Sequence, residues 1–207
     1  MSNLDATHVT SFCYGDDEAI WVTRRERDTA PWGPPQNLGA TLNSSAGEFA
    51  PAFDASGHVL FFGSERTEGC GGRDLWFSTS RNKRDRDVWA AMRNSAGGFD
   101  PPLNVSELNS PSVDARPAVR RDGLEFFLSS NRPGSIEGSA GPSNDIWSAT
   151  RGTTAGTWSV PVNLELLNTS FNDGAPALSK DKATPYFNSN RPGGSGGMDL
   201  YASTRSK

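Results

Sequence analysis

Three acids, Glu48, Asp114 and Asp173, each stand three residues ahead of a proline, Pro51, Pro117 and Pro176. Each is followed by a Ser-x-Arg triplet, Ser64-Glu65-Arg66, Ser130-Asn131-Arg132 and Ser189-Asn190-Arg191, and then by a Gly-rich stretch that ends in Asp74, Asp145 or Asp199. Carboxylates converging on one axis could supply the acid and the nucleophile or base of glycoside hydrolysis, which needs such a pair flanking the scissile bond. The arginines and aspartates could instead form a ring of guanidinium and carboxylate groups that contacts a sugar or an acidic peptide. Arg66 and Asp74, and Arg191 and Asp199, are eight positions apart; Arg132 and Asp145 are thirteen apart, owing to an insertion.

Recurrence weighs against catalysis, because a residue required once per repeat is usually holding the repeat together. On that reading each Asp accepts N–H bonds within its own loop and each Arg clasps the same loop. Ala19, in place of the Asp in a partial first unit, fits a feature tied to the long loop. No lone carboxylate stands out with a supporting Tyr or His. Ser179-Lys180-Asp181-Lys182-Ala183 lacks the Gly and Trp of a sialidase-like Asp box. No Gly-x-Ser-x-Gly motif appears, and His8 and His58 have no evident partners for a triad. With no Cys-x-x-Cys and two histidines, a zinc site is not expected. The preferred expectation is a protein without enzymatic activity, metal or cofactor.

The elements that carry these residues repeat with them. After each opening proline comes an apolar run, such as His58-Val59-Leu60-Phe61-Phe62 or Leu124-Glu125-Phe126-Phe127-Leu128. These runs are aromatic and aliphatic and bounded by Gly, Ser and Asn, so they read as strands. Ser56-Gly57 and Asp122-Gly123 precede them, where a tight hairpin needs positive φ. An aromatic follows each Asp (Trp76, Trp147 and Tyr201, with Trp21 as an earlier partial copy), and Pro-x-Asn-(Leu/Val) closes the unit at Pro35–Leu38, Pro102–Val105 and Pro161–Leu164. Four strands per unit follow: A around the opening proline, B the Phe-Phe run, C the Asp-Leu-Trp run, D the Pro-x-Asn-Leu run.

An antiparallel unit of this kind cannot bury its own faces, and stacked side by side such units make a β-propeller. The fold class is therefore all-β: one propeller domain over 1–207, of about four four-stranded antiparallel blades with incomplete terminal blades. The units run over 1–47 (partial), 48–110, 111–170 and 171–207. The first offers B (Thr7 to Cys13), C (Ala19 to Arg24) and D; the last offers A, B and C. Either a small ring tolerates incomplete terminal blades, or the chain is part of a larger ring, or another chain fills the gap as a homo-oligomer that completes the ring.

Ser130-Asn131-Arg132-Pro133-Gly134, Ser189-Asn190-Arg191-Pro192-Gly193-Gly194, Gly197-Met198-Asp199-Leu200-Tyr201 and Trp158 to Leu164 resemble the TolB-type, WD-like β-propeller repeat family of bacteria. The likeness covers about Ala19 to Arg205. It implies a repeat module that binds partners, in a periplasmic or secreted setting.

Composition agrees with many short strands and turns: 22 Gly and 14 Pro in 207 residues, with six Trp and eleven Phe to pack between blades. A net charge of −4 points to no nucleic-acid partner. No apolar run is long enough for a membrane span, and the N-terminus shows no signal-peptide core. Cys13 and Cys70 read as free thiols rather than a disulfide framework.

In an A-B-C-D meander the B–C loops and D–A connections share one face. That face collects the Gly-rich segments and the pairs at Asn43, Asn109 and Asn168, and it is the expected binding face for a protein or glycan. The candidate ligand-binding residues on it are Arg66, Asp74, Arg132, Glu137, Asp145, Arg191 and Asp199. Glu137 belongs to the lengthened loop Pro133 to Asn144, which is expected to shape a groove. A second insertion is read between C and D of unit two, from Asn82 to Gly98, with Lys83, Arg84, Arg86, Arg93 and an exposed Trp89. Pro185 falls inside strand B of the last unit, which should be the least regular.

Overall fold

The computed structural model describes residues 7–14, 17–27, 29–54, 56–66, 86–139, 141–179, 181 and 183–204. Among these there are sixteen strands and no helix. Fourteen of the strands form four antiparallel sheets, the blades. Blade 1 is β1 (Thr7–Tyr14), β2 (Asp17–Arg24) and β3 (Gln36–Asn37). Blade 2 is β4 (Glu48–Phe53), β5 (Val59–Ser64), β6 (Asp87–Met92) and β7 (Leu103–Asn104). Blade 3 is β8 (Asp114–Val119), β9 (Glu125–Ser130), β12 (Asp145–Thr150) and β13 (Val162–Asn163). Blade 4 is β14 (Asp173–Leu178), β15 (Pro185–Ser189) and β16 (Asp199–Ala202). The remaining pair, β10 (Glu137–Gly138) and β11 (Gly141–Pro142), is a small hairpin inside the lengthened loop of blade 3.

Packing identifies the strands of blade 1. β1 and β2 lie against β4 as β5 and β6 lie against β8, and as β9 and β12 lie against β14. Blade 1 is therefore B-C-D and blade 4 A-B-C, the order the repeat predicts. The register is equally regular: Glu48, Ser64 and Asp87 line up across blade 2 as Asp114, Ser130 and Asp145 do across blade 3, and Asp173, Ser189 and Asp199 across blade 4.

The cores lie between blades. In blades 2 and 3 strand B is buried on both faces, so its side chains divide between two seams: Phe61 and Val88 of blade 2 meet Phe126, Leu128 and Trp147 of blade 3. Phe127 and Ile146, on the other face of blade 3, meet Phe187 of blade 4. Phe61 and Phe126 pack edge to face at 5.1 Å between ring centroids, an arrangement favoured by the ring quadrupoles.

The turn glycines behave as the sequence predicts: Gly57 and Gly123 have φ of +69° and +72°. A feature without a sequence signal is a bulge in every strand A, where Ala50, Arg116 and Ala175 have φ of +49°, +55° and +48°. A non-glycine residue there costs about 1 kcal/mol, so surrounding contacts must hold it. In blade 4 the Ala175 amide donates to Ser129 Oγ of blade 3 at 3.0 Å, linking the bulge to the neighbouring blade.

One assignment is corrected. Strand C of blade 2 is Asp87-Val88-Trp89, not Asp74-Leu75-Trp76, so the insertion lies between B and C rather than between C and D. Asp74, Lys83 and Arg84 lie outside the described residues, as does Cys70. Trp89 is buried, at 5% exposure, not displayed on a loop. Both Asp-x-Trp triplets have the same local pattern, and only pairing with Ser64 distinguishes them. Pro185 is the first residue of β15, a position where its missing N–H costs the ladder little, and β15 is one residue shorter than β5 and β9.

Candidate functional site

The three arginines do one job in three places. Arg132 donates through Nη2 to the Leu108 carbonyl at 2.6 Å and to the Asp114 carboxylate, and through Nε to Ser130 Oγ at 3.0 Å. Arg191 repeats this on the Leu167 carbonyl at 2.7 Å, Asp173 at 2.6 Å and Ser189 Oγ at 2.9 Å. Arg66 contacts the Leu42 carbonyl and donates to Glu48 at 3.2 Å. Each guanidinium also lies over the aromatic of its own strand C: Arg66 over Trp89 at 5.3 Å, Arg132 over Trp147 at 5.2 Å, Arg191 over Tyr201 at 5.0 Å. The partners of each Arg are thus the acid that begins strand A and the D–A connection, not the B–C loop expected to be clasped.

The acids complete that brace. Glu48, Asp114 and Asp173 are fully buried. Each accepts the backbone amide and the hydroxyl of the residue four positions earlier: Ser44 at 2.9 and 2.5 Å, Ser110 at 2.5 and 2.8 Å, Thr169 at 2.6 and 2.8 Å. Burial pushes the Asp114 carboxyl above its ordinary value; the Arg132 guanidinium and bonds from Ser130, Arg132 and Ser110 oppose that rise.

Two strand C aspartates, Asp145 and Asp199, accept N–H bonds from their own loops, as the structural reading expects, while Asp87 meets strand D. Asp145 accepts the Ile136 amide at 2.7 Å, Ser143 Oγ at 3.0 Å and Asn163 Nδ2 at 2.6 Å. Asp199 accepts the Gly196 amide at 3.1 Å. Asp87 accepts Asn104 Nδ2 at 3.0 Å.

Sequence reasoning placed Asn43, Asn109 and Asn168 on the loop face but missed their role. Each reaches across to strand C and bonds both backbone groups of one residue. Asn168 accepts the Ile146 amide and donates to the Ile146 carbonyl, each at 2.8 Å. Asn109 does the same to Val88, and Asn43 to Ile20. The recurring Leu-Asn pair was the signal: the Leu carbonyl meets the Arg, the Asn side chain meets strand C.

The loop face is as deduced, since the B–C loops and D–A connections touch: Ser143 Oγ lies 3.2 Å from the Thr169 carbonyl oxygen. On this face a polar cleft of about 280 Å³ opens between the blade 1 connection and the end of β5, lined by Thr41, Ser44, Ser45, Glu65 and Arg66. Glu137 is exposed on the β10–β11 hairpin, whose base is fastened by Asp145. Of the seven candidates, Arg66, Arg132, Arg191, Asp145 and Asp199 thus make internal contacts, Glu137 presents its side chain outward, and Asp74 is not described.

No family model and no curated protein matches the chain. Similar solved structures include a putative TolB from Agrobacterium tumefaciens (TM-score 0.55, 14% identity, 89% of this chain and 50% of that one). They also include TolB from Acinetobacter baumannii (TM-score 0.51, 11% identity, 90% and 35%) and Trypanosoma rangeli sialidase in complex with the inhibitor DANA (TM-score 0.51, 14% identity, 97% and 35%). The chain spans about a third to a half of the length of these structures. At these identities the likeness is one of fold, and the chain has a TolB-like β-propeller fold.

Proposed function

We propose that this chain is a non-enzymatic propeller module that binds a protein or glycan on its loop face, in a periplasmic or secreted setting. The observation that carries the reading is the fate of the charged repeat: the buried acids and their arginines form the same closed brace in three blades. Groups so consumed are not free to protonate a leaving group or attack a substrate. What the face offers instead is a shallow polar cleft beside Arg66 and the exposed hairpin bearing Glu137.

The test is to probe arrays of glycans and of peptides with the labelled chain, alongside Ser45→Trp, which fills the cleft, and Glu137→Ala. A ligand retained by the native chain and weakened at least about tenfold by either variant, with the circular dichroism spectrum unchanged, is expected. Turnover of a glycoside that Asp114→Asn abolishes without loss of fold would replace this reading with a carboxylate-dependent hydrolase.

A further inference from the structure

Blade 4 carries an open groove of about 510 Å³ between its own strands and the blade 3 connection, walled by Phe127, Leu164, Leu167, Leu178, Pro185 and Ser203. The repeat register says what such a groove holds. The corresponding residues one blade earlier are Phe61, Val105, Leu108, Val119, Phe126 and Ala149, and all six belong to the cluster built around Trp158. Trp158 stands five residues ahead of the strand D asparagine, Asn163, and packs on Phe126 at 5.3 Å. In blade 2, Phe99 stands five ahead of Asn104 and packs with Leu38, Leu42, Phe53, Leu60 and Ala91, the same positions again.

The backbone beside the groove is prepared in the same register. Ile146, the second residue of strand C, turns both polar groups outward, where its carbonyl accepts the Leu164 amide at 3.0 Å and Asn168 clamps the residue. Its counterpart Leu200 stands on the outer strand of blade 4 at 76% exposure, while Ile146 is at 1%. Asp199 corresponds to Asp145, which accepts the strand D asparagine.

We infer that the outer edge of β16 and this groove form a strand-accepting site for an extended peptide of the type aromatic-x-x-Pro-x-Asn-(Leu/Val), followed by Leu-Asn. The aromatic ring fills the groove, the first asparagine donates to Asp199, and the second clamps Leu200. Recognition is by β-augmentation: the main chain supplies affinity and the pockets supply specificity. The groove and the β16 edge share no residue with the cleft beside Arg66 or with the Glu137 hairpin, so either site can fail without the other.

The probe is a fluorescein-labelled peptide with the sequence of residues 157–168, titrated into the full chain while anisotropy is followed. Saturable binding is expected, weakened at least about tenfold when the peptide carries Trp158→Ala with Asn163→Ala. In the chain, Leu178→Asp should weaken binding similarly. Leu200→Pro removes only an outward-facing donor, so it should spare the fold and still reduce binding, while Glu137→Ala should leave it unchanged. Equal binding of both peptides, or no binding, would overturn the inference. So would a concentration-dependent dimer in light scattering that the peptide does not dissociate, since a second copy would then occupy the edge.

Discussion

At the scale of single residues, the same charged atoms that look like a reaction centre are better accounted for as a brace. Asp114 brings two backbone-facing roles together: it caps the connection through Ser110 and anchors Arg132, which in turn holds the Leu108 carbonyl. Removing one partner of a buried ion pair leaves the other charge uncompensated, so Asp114→Asn should lower stability by about 3 kcal/mol in urea unfolding. The pH dependence has a definite sign. Burial raises the Asp114 pKa above its ordinary 3.8, so the folded state favours the protonated acid. The stability linked to that proton is present below the ordinary value and is lost as pH rises through the raised one. The gap between native chain and Asp114→Asn should therefore be wider at about pH 4 than at about pH 7.

At the scale of elements, blade 2 depends on a small residue where two of its strands approach closely. A Cβ on Gly63 would lie 2.3 Å from Phe49 Cε2, because the strand A ring folds back over β5 while Arg86 covers it at 4.5 Å. Gly63→Ala should cost about 1–3 kcal/mol by overpacking, read as a fall in the urea midpoint at unchanged slope. A Gly at this point of a strand is legible in the sequence as a weak strand residue, but the ring that needs the space comes from another strand. The repeat motif told where A, B, C and D begin. It could not choose between Asp74-Leu75-Trp76 and Asp87-Val88-Trp89, because both are Asp-(Leu/Val)-Trp triplets and the choice is made by long-range pairing.

At the scale of the whole molecule, the asymmetry between blade 4 and the inner blades matters most. Each inner seam buries both partners, whereas the far face of blade 4 shows Tyr186 at 41% and Leu200 at 76% exposure. The buried Asn188 Oδ1 there has no hydrogen-bond partner among the described residues, while Ser129 at the same register position accepts the Ala175 amide of the next blade. Such a face should bind a hydrophobic dye, and Leu200→Lys with Tyr186→Lys should reduce dye fluorescence without lowering the unfolding midpoint. A drop in stability instead would mean that this face is already covered.

The amino-acid sequence by itself determined the all-β class, the four-unit repeat, the B-C-D and A-B-C terminal blades, the hairpin glycines and the face shared by the B–C loops and D–A connections. These follow from residue type and spacing, which act locally. Only the tertiary structure decided that Arg66, Arg132 and Arg191 answer the acids that begin strand A, that Leu-Asn pairs clamp strand C, and that an aromatic ahead of strand D fills a groove between blades. Those contacts join residues 18 or more positions apart, or from different blades, and strand pairing with the stacking of one sheet on the next is what brings them within reach.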